Sequence, residues 1–150
     1  MMKKQTISAI FILLTGILIL SGCKGQDTEP IEYMDGWGSV TNQTKTITVE
    51  YPPEWNEDVI SDVNDDYISF YEKKDYDSGN GGHLFTVMRF NNNDYKELPS
   101  YKVIAEDKSK GVTFIIMYPT DVQFTNETAE EYNRLADFTD EIISHIHLKF

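Results

Sequence analysis

Two stretches, "HLFTVMRF" at His83–Phe90 and "GVTFIIMY" at Gly111–Tyr118, set the terms for the whole chain. In the first, Leu84, Met88 and Phe90 oppose Phe85 and Val87; in the second, Val112, Phe114, Ile116 and Tyr118 oppose Thr113, Ile115 and Met117. Segments this short, rich in β-branched and aromatic residues and apolar on both faces, read as central strands that need cover above and below. The single cysteine, Cys23, rules out an internal disulfide, so packing alone has to supply that cover.

The neighbouring segments supply further elements. "TITVEY" alternates Ile47, Val49 and Tyr51 with Thr46, Thr48 and Glu50, the period of a half-buried strand, and Pro52 and Pro53 end it. "YISFYEK" sets Ile68 and Phe70 on one face and Tyr67, Ser69 and Tyr71 on the other. The glycines of "DYDSGNGG" make a hairpin the simplest link to His83–Phe90, and Asp107 to Gly111 forms a second polar turn between "YKVIAED" and "GVTFIIMY". Glu54 to Val63, with scattered acids behind Pro53, admits a short helix. Near the C-terminal end Ala129, Tyr132, Leu135, Phe138 or Thr139, Ile142, Ile143 and Ile146 recur at steps of three and four, and Thr128 with Glu131 has capping-box spacing. This reads as one long amphipathic helix. The expected class is α+β: a mainly antiparallel sheet of about five to six strands with the long C-terminal helix packed on it.

The N-terminal stretch is of another kind. Lys3 and Lys4 precede an apolar run from Ile7 to Leu20, too short for the roughly 20 residues of a spanning helix and suited to a signal peptide. Leu20-Ser21-Gly22-Cys23 resembles the lipobox of bacterial lipoproteins. That resemblance implies removal of residues 1–22, a diacylglycerol thioether on Cys23 and a lipid anchor outside the cytoplasm, where two acyl chains give stable attachment. Residues 23–45, polar and punctuated by glycine, read as the lipidated N-terminus and tether, and 46–150 as a single α+β domain. Trp37 interrupts the tether and is expected to fold back over one edge of the domain.

A strand running into Pro53-Glu54-Trp55, then a meander and a C-terminal helix ending "IISHIHL", is similar in layout to PsbP/Mog1-like domains. "GGHLF" and "YPTDVQ" resemble segments of uncharacterised exported lipoproteins of Gram-positive bacteria. The first likeness implies a central antiparallel sheet between helices. It brings no shared catalytic residues, and fold alone does not supply function.

The formal net charge of −12 becomes two units more negative once Lys3 and Lys4 leave with the signal peptide, which argues against nucleic acid as a partner. The sequence has no G-x-S-x-G elbow and no H-E-x-x-H pair. His145 and His147 are expected as solvated residues at a helix end, not as metal ligands. Asp75, Asp77 and Asn80 offer oxygens to a hard cation, but the EF-hand spacing fails at Thr86, and a plain hairpin loop is the expectation. Glu57, Asp58, Asp62, Asp65 and Asp66 supply many carboxylate pairs, too densely for any one to stand out. Asp121 and Gln123 follow a buried strand, in a turn where the Asp binds nearby backbone. Tyr33, Tyr67, Tyr71, Tyr76, Tyr95 and Tyr101, with Trp37 and Trp55, can pave a sheet or build a contact surface.

No catalytic or cofactor-binding residue stands out, and Cys23 is the one site residue expected. The functional expectation is a non-enzymatic, lipid-anchored accessory or binding protein of the bacterial envelope. Its partners would be the membrane, through the lipid on Cys23, and an envelope protein or small ligand. The competing class is an envelope hydrolase or sugar-active enzyme using the acids near Asp58 to Asp66 or Asp121. Convergent carboxylates in a deep pocket would favour the enzyme, and a flat tyrosine-rich sheet face the binding surface.

Overall fold

The computed structural model describes residues 34–150; Cys23, the leader, Tyr33 and the first part of the tether lie outside them. The fold is α+β, built on antiparallel strands. Strands β1 (Gly38–Thr41), β2 (Ile47–Tyr51), β3 (Val59–Val63), β4 (Tyr67–Glu72), β5 (His83–Phe90), β6 (Lys102–Asp107), β7 (Val112–Met117) and β8 (Ile146–Leu148) are joined by three helices, α1 (Lys73–Ser78), α2 (Ala129–Ala136) and α3 (Thr139–Ile143). Among the described residues there are two sheets instead of one: a three-stranded sheet in the order β1-β2-β8 and a five-stranded sheet in the order β3-β4-β5-β7-β6. β1 lies inside the stretch that composition reads as tether. It pairs with β2 from Gly38 opposite Tyr51 to Thr41 opposite Thr48.

One core holds these pieces together. Ile68 and Phe70 of β4, Phe85 and Val87 of β5, and Phe114 and Ile116 of β7 form the inner face of the larger sheet, each nearly sealed from solvent. Ile47 and Val49 of β2, Trp55, and Tyr132, Leu135 and Ile142 of the helices belong to the same buried cluster. Trp55 stands 5.4 Å from the Phe70 ring and 6.0 Å from the Phe85 ring. Each such side chain contributes on the order of 1.5–3 kcal/mol on leaving water, so this cluster carries most of the stability of a chain without disulfides.

Register departs from simple alternation at two places among the described residues, between Val103 and Ala105 of β6 and, of more consequence, between β4 and β5. Phe70 faces Phe85, but Tyr71 faces His83, so Leu84 is an extra, bulged residue. The bulge turns Leu84 into the core and leaves His83 on the outer face.

Three expectations of local structure are corrected. The C-terminal helix is not long: α2 and α3 are separated at Asp137 and Phe138, and the chain leaves the helical path at Ser144. Ile146 fits helical spacing, yet it enters β8, which pairs with β2 at Ile47, Thr48 and Val49. A helix carried on through Leu148 would leave the second edge of that buried strand unpaired, at a cost of unsatisfied backbone groups. The β4–β5 connection joins antiparallel neighbours as the expected hairpin does, but it is not a plain loop, because it contains α1. Glu72 caps this helix, accepting hydrogen bonds from the amides of Lys74 (3.0 Å) and Asp75 (2.7 Å). Gly79 ends it in the left-handed region, and Gly82 (φ 73°) brings the backbone so near the Glu72 carbonyl that a Cβ would clash. Finally, Glu54 to Val63 holds a short 3-10 turn at Pro53–Trp55 and then β3, not a helix. Among the described residues no helix is long and apolar enough to cross a membrane.

The placement of α3 is testable. Ile142 is fully buried whereas Glu141 beside it is exposed. Ile142→Ala should cost about 2–5 kcal/mol in urea unfolding, while Glu141→Ala stays within about 0.5 kcal/mol of the parent.

Candidate functional site

Residues that alternate with the core positions of β4 and β5 point outward from the larger sheet. Tyr67 lies opposite Met88, Ser69 opposite Thr86 and Tyr71 opposite His83, with Met117 of β7 opposite Thr86. Together with Asp62 of β3 they line a shallow groove of about 350 Å³. Ser69 and Thr86 form its floor, only 5% and 3% exposed. Their hydroxyls meet at 2.7 Å, and the Thr86 hydroxyl also lies 2.8 Å from Nε2 of His83. The walls are aromatic and thioether groups. Tyr71 lies 4.9 Å from Tyr76 and 5.4 Å from His83 between ring centroids, a row that ends at the half-exposed Tyr76. The Tyr67 hydroxyl donates to Asp62 at 3.1 Å.

Farther along, this face is partly covered. Tyr95, in a short 3-10 turn at Asp94–Glu97, is buried and packs 5.9 Å from the Phe90 ring and edge-on 5.3 Å from the Tyr101 ring. Ile115, on the same outer face, is fully buried. Elsewhere the face is open, where Asn92, Glu106 and Thr113 line a polar concavity and Val103 is 43% exposed, so the groove is the aromatic opening of a partly covered surface.

His83 is the groove's titratable centre. Burial holds its imidazole below the ordinary value of 6.5, opposed by a backbone hydrogen bond at Phe85 and by the charge of Asp121. At neutral pH the ring is uncharged, a partner for hydroxyls and apolar groups. Its backbone is fixed from the inside: the Tyr132 hydroxyl of α2 donates to the His83 carbonyl at 2.6 Å. Burial first, then the Asp75 charge, pushes that phenol up to about 12, so it stays a donor throughout the working range. Thr86 beside His83 has the look of a nucleophile next to a base. Its hydroxyl, however, belongs to a residue 3% exposed and is already shared with Ser69, as cross-strand pairing alone explains.

The other candidates are dispersed. Asp58 pairs with Arg134 at 3.0 Å, Asp66 with Arg89 at 3.6 Å, and Asp62 serves Tyr67, so these acids do not converge on one cleft. Asp121 accepts from the Gln123 side chain at 2.7 Å on an exposed turn. Asp75 turns inward and accepts from the Thr128 hydroxyl at 2.8 Å, whereas Asp77 and Asn80 are exposed and Asn80 donates to Ser78. The three oxygen-bearing residues of that loop thus face different surroundings.

His145 and His147 are not a solvated helix end. His147 sits in β8 with Nε2 2.9 Å from Oε1 of Glu50, and Nδ1 of His145 lies 3.8 Å from Oε2. Glu50 is 1% exposed and also accepts from the Met34 amide at 3.1 Å. Trp37 folds back against the His145 ring, 4.9 Å between centroids. Among the described residues no three His, Cys, Asp or Glu side chains are disposed to hold a metal ion.

The chain matches no protein-family model, no curated protein and no solved structure. The functional reading therefore rests on the groove and on the sequence.

His83 gives a pH prediction. With its folded-state value depressed, the unfolded chain takes up a proton first, so His83's contribution to stability is full above about 6.5 and is lost as pH falls through the folded value. A proton NMR titration should place the His83 midpoint below 6.5. His83→Gln should remove part of the acid-side loss of melting temperature.

Proposed function

We propose that this protein is a lipid-anchored binding module of the bacterial envelope, held outside the cytoplasm through Cys23 and engaging its partner or small ligand through the groove on the five-stranded sheet. The observation that carries the reading is the groove itself: Tyr67, Tyr71, His83, Met88 and Met117 gathered round a hydroxyl floor on one sheet face. Tyrosines and methionines supply adaptable contact area at low ordering cost, a common composition for recognition surfaces. The hydroxyl floor offers polar contacts that fix orientation. Dispersal of Asp58, Asp62 and Asp66 among separate partners weighs against a hydrolase acting through paired acids.

Anchoring would serve such a module by confining it near the membrane and raising its effective concentration for other envelope components. The lipobox order of Leu20, Ser21, Gly22 and Cys23 supports that half of the proposal, and the PsbP-like layout gives an analogy for a non-enzymatic accessory role.

Two measurements test it. Cys23→Ser should abolish labelling by fatty acid and release the protein from the membrane fraction; unchanged fractionation and labelling would defeat the anchor. For the groove, proteins cross-linked to the intact lipoprotein in membranes should be lost in Tyr71→Asp and retained in Asn133→Asp, a change on the exposed side of α2. A cross-linked set indifferent to Tyr71→Asp would place recognition elsewhere.

A further inference from the structure

The five-stranded sheet ends in β3, which pairs with β4 alone, so one of its edges has no strand beside it. Antiparallel strands direct the backbone groups of alternate residues toward the partner and those of the residues between them away from it. Asp58 and Asn64, just beyond the two ends of β3, bond to Lys73 and Tyr67 across the β4 pair, which gives Ile60 and Asp62 the same direction. Val59, Ser61 and Val63 therefore turn their N–H and C=O groups to the open edge. The β1–β2 hairpin covers one end of that edge: the Gln43 amide donates to the Asn64 carbonyl at 3.2 Å, and Asn42 and Thr44 donate to the Asp65 carbonyl. At Val59 and Ser61, among the described residues, nothing outside the β3–β4 ladder bonds to these backbone groups.

Beside that open stretch lies a concavity of about 50 Å³, lined by Val59 and Ser61 of β3 together with Tyr51, Trp55 and Phe70. One water occupies only about 10–15 Å³ on this measure, so the space suits a small side chain. A separate observation points to a ligand: Trp55 is 1% exposed, and its Nε1 is buried with no hydrogen-bond partner among the described residues. Buried indole N–H groups normally have an acceptor. The surrounding charge has one sign. Glu54 and Glu57 precede the edge and Asp62 lies on β3, all three exposed, and among the described residues no basic side chain pairs with any of them.

We infer that the open edge of β3 receives an extended, basic segment of a partner protein as an added strand. Its backbone bonds to Val59 and Ser61, a small apolar side chain enters the concavity, a peptide carbonyl accepts from the Trp55 N–H, and lysine or arginine side chains face Glu54, Glu57 and Asp62. Val59 and Ser61 stand two residues apart, the interval at which an extended chain repeats its own donors and acceptors along one side. A small polar molecule would use the indole N–H but not that repeat. The same carboxylates turn away acidic chains, a second copy of this one included, since its net charge is −12. The groove of the binding reading takes only Asp62 from β3, so the edge is a further surface.

Full-length protein in detergent micelles is titrated calorimetrically with acetyl-Lys-Thr-Val-Thr-Lys-amide, with the same peptide N-methylated at its three central residues, and with acetyl-Glu-Thr-Val-Thr-Glu-amide. The first should bind. N-methylation, which removes the peptide's donors, should weaken binding about tenfold or more, as loss of two backbone hydrogen bonds implies, and the acidic peptide should be weaker by a similar factor. Ser61→Pro deletes an edge N–H that the β3–β4 ladder does not use, so it should weaken binding about tenfold while the melting temperature stays near that of the parent. Should that variant fail to fold, the N-methylated probe reads the same backbone bonds on the unaltered protein. In NMR spectra the indole N–H signal of Trp55 should shift with the first probe and not with the acidic one. No heat with the first probe, equal binding of its N-methylated or acidic counterpart, a folded Ser61→Pro variant of unchanged affinity, or a Trp55 signal that stays in place would each overturn the assignment.

Discussion

Everything in this molecule follows from the need to cover one sheet face. Ile68, Phe70, Phe85, Val87, Phe114 and Ile116 present a continuous apolar surface, and no second layer of the same sheet exists to meet it. The chain answers from both of its ends: β2 near the start of the described residues, Trp55 just after it, and α2 with α3 near the finish. Contacts so far apart in sequence are what make the fold a single cooperative unit. They also explain why the C-terminal segment bends, since Leu135 and Ile142 must both reach the core before β8 returns to β2.

The opposite face carries the groove for the same reason. Once packing has consumed the inner side chains, Tyr67, Tyr71, Met88 and Met117 are left half-buried on the outer face, with Tyr76 against Tyr71 and Tyr95 against Phe90 farther along. The bulge at Leu84 links the two faces, because it draws one residue inward and leaves His83 outward beside Thr86. Tyr132 then holds the His83 carbonyl from below. The groove's imidazole is thereby positioned by the core rather than by the surface.

Much of this was legible in the sequence, and the gaps have physical causes. β2 and β4 announce themselves through alternation, β5 and β7 through runs apolar on both faces, and Tyr67 and Tyr71 stand out as tyrosines of an outward face. β1, with only Gly38 to Thr41, and β3, set among acids, are too short or too polar to show periodicity. β8 is hidden because Ile142, Ile143 and Ile146 satisfy helical spacing, and only the unpaired edge of β2 decides against a helix. Glu50 and Thr48 look like the solvent side of a half-buried strand. They are buried because β1 and β8 flank β2 and bring Met34 and His147 to the carboxylate. Ser69, Thr86 and Met117 meet only through cross-strand register, and His83 joins them through a bulge that no local pattern reveals. Nor could spacing alone show Tyr51 and Trp55 beside the open edge of β3.

Glu50 has a mechanical consequence. It ties the Met34 amide, at the head of the described chain, to His145 and His147 near its tail, and β1 and β8 flank β2 on either side. A pull along the N-terminal arm is therefore taken up first by the three-stranded sheet and its carboxylate knot. The strands that carry the groove lie in the other sheet and meet this one through the shared core and through Asn42 and Thr44, which both donate to the Asp65 carbonyl.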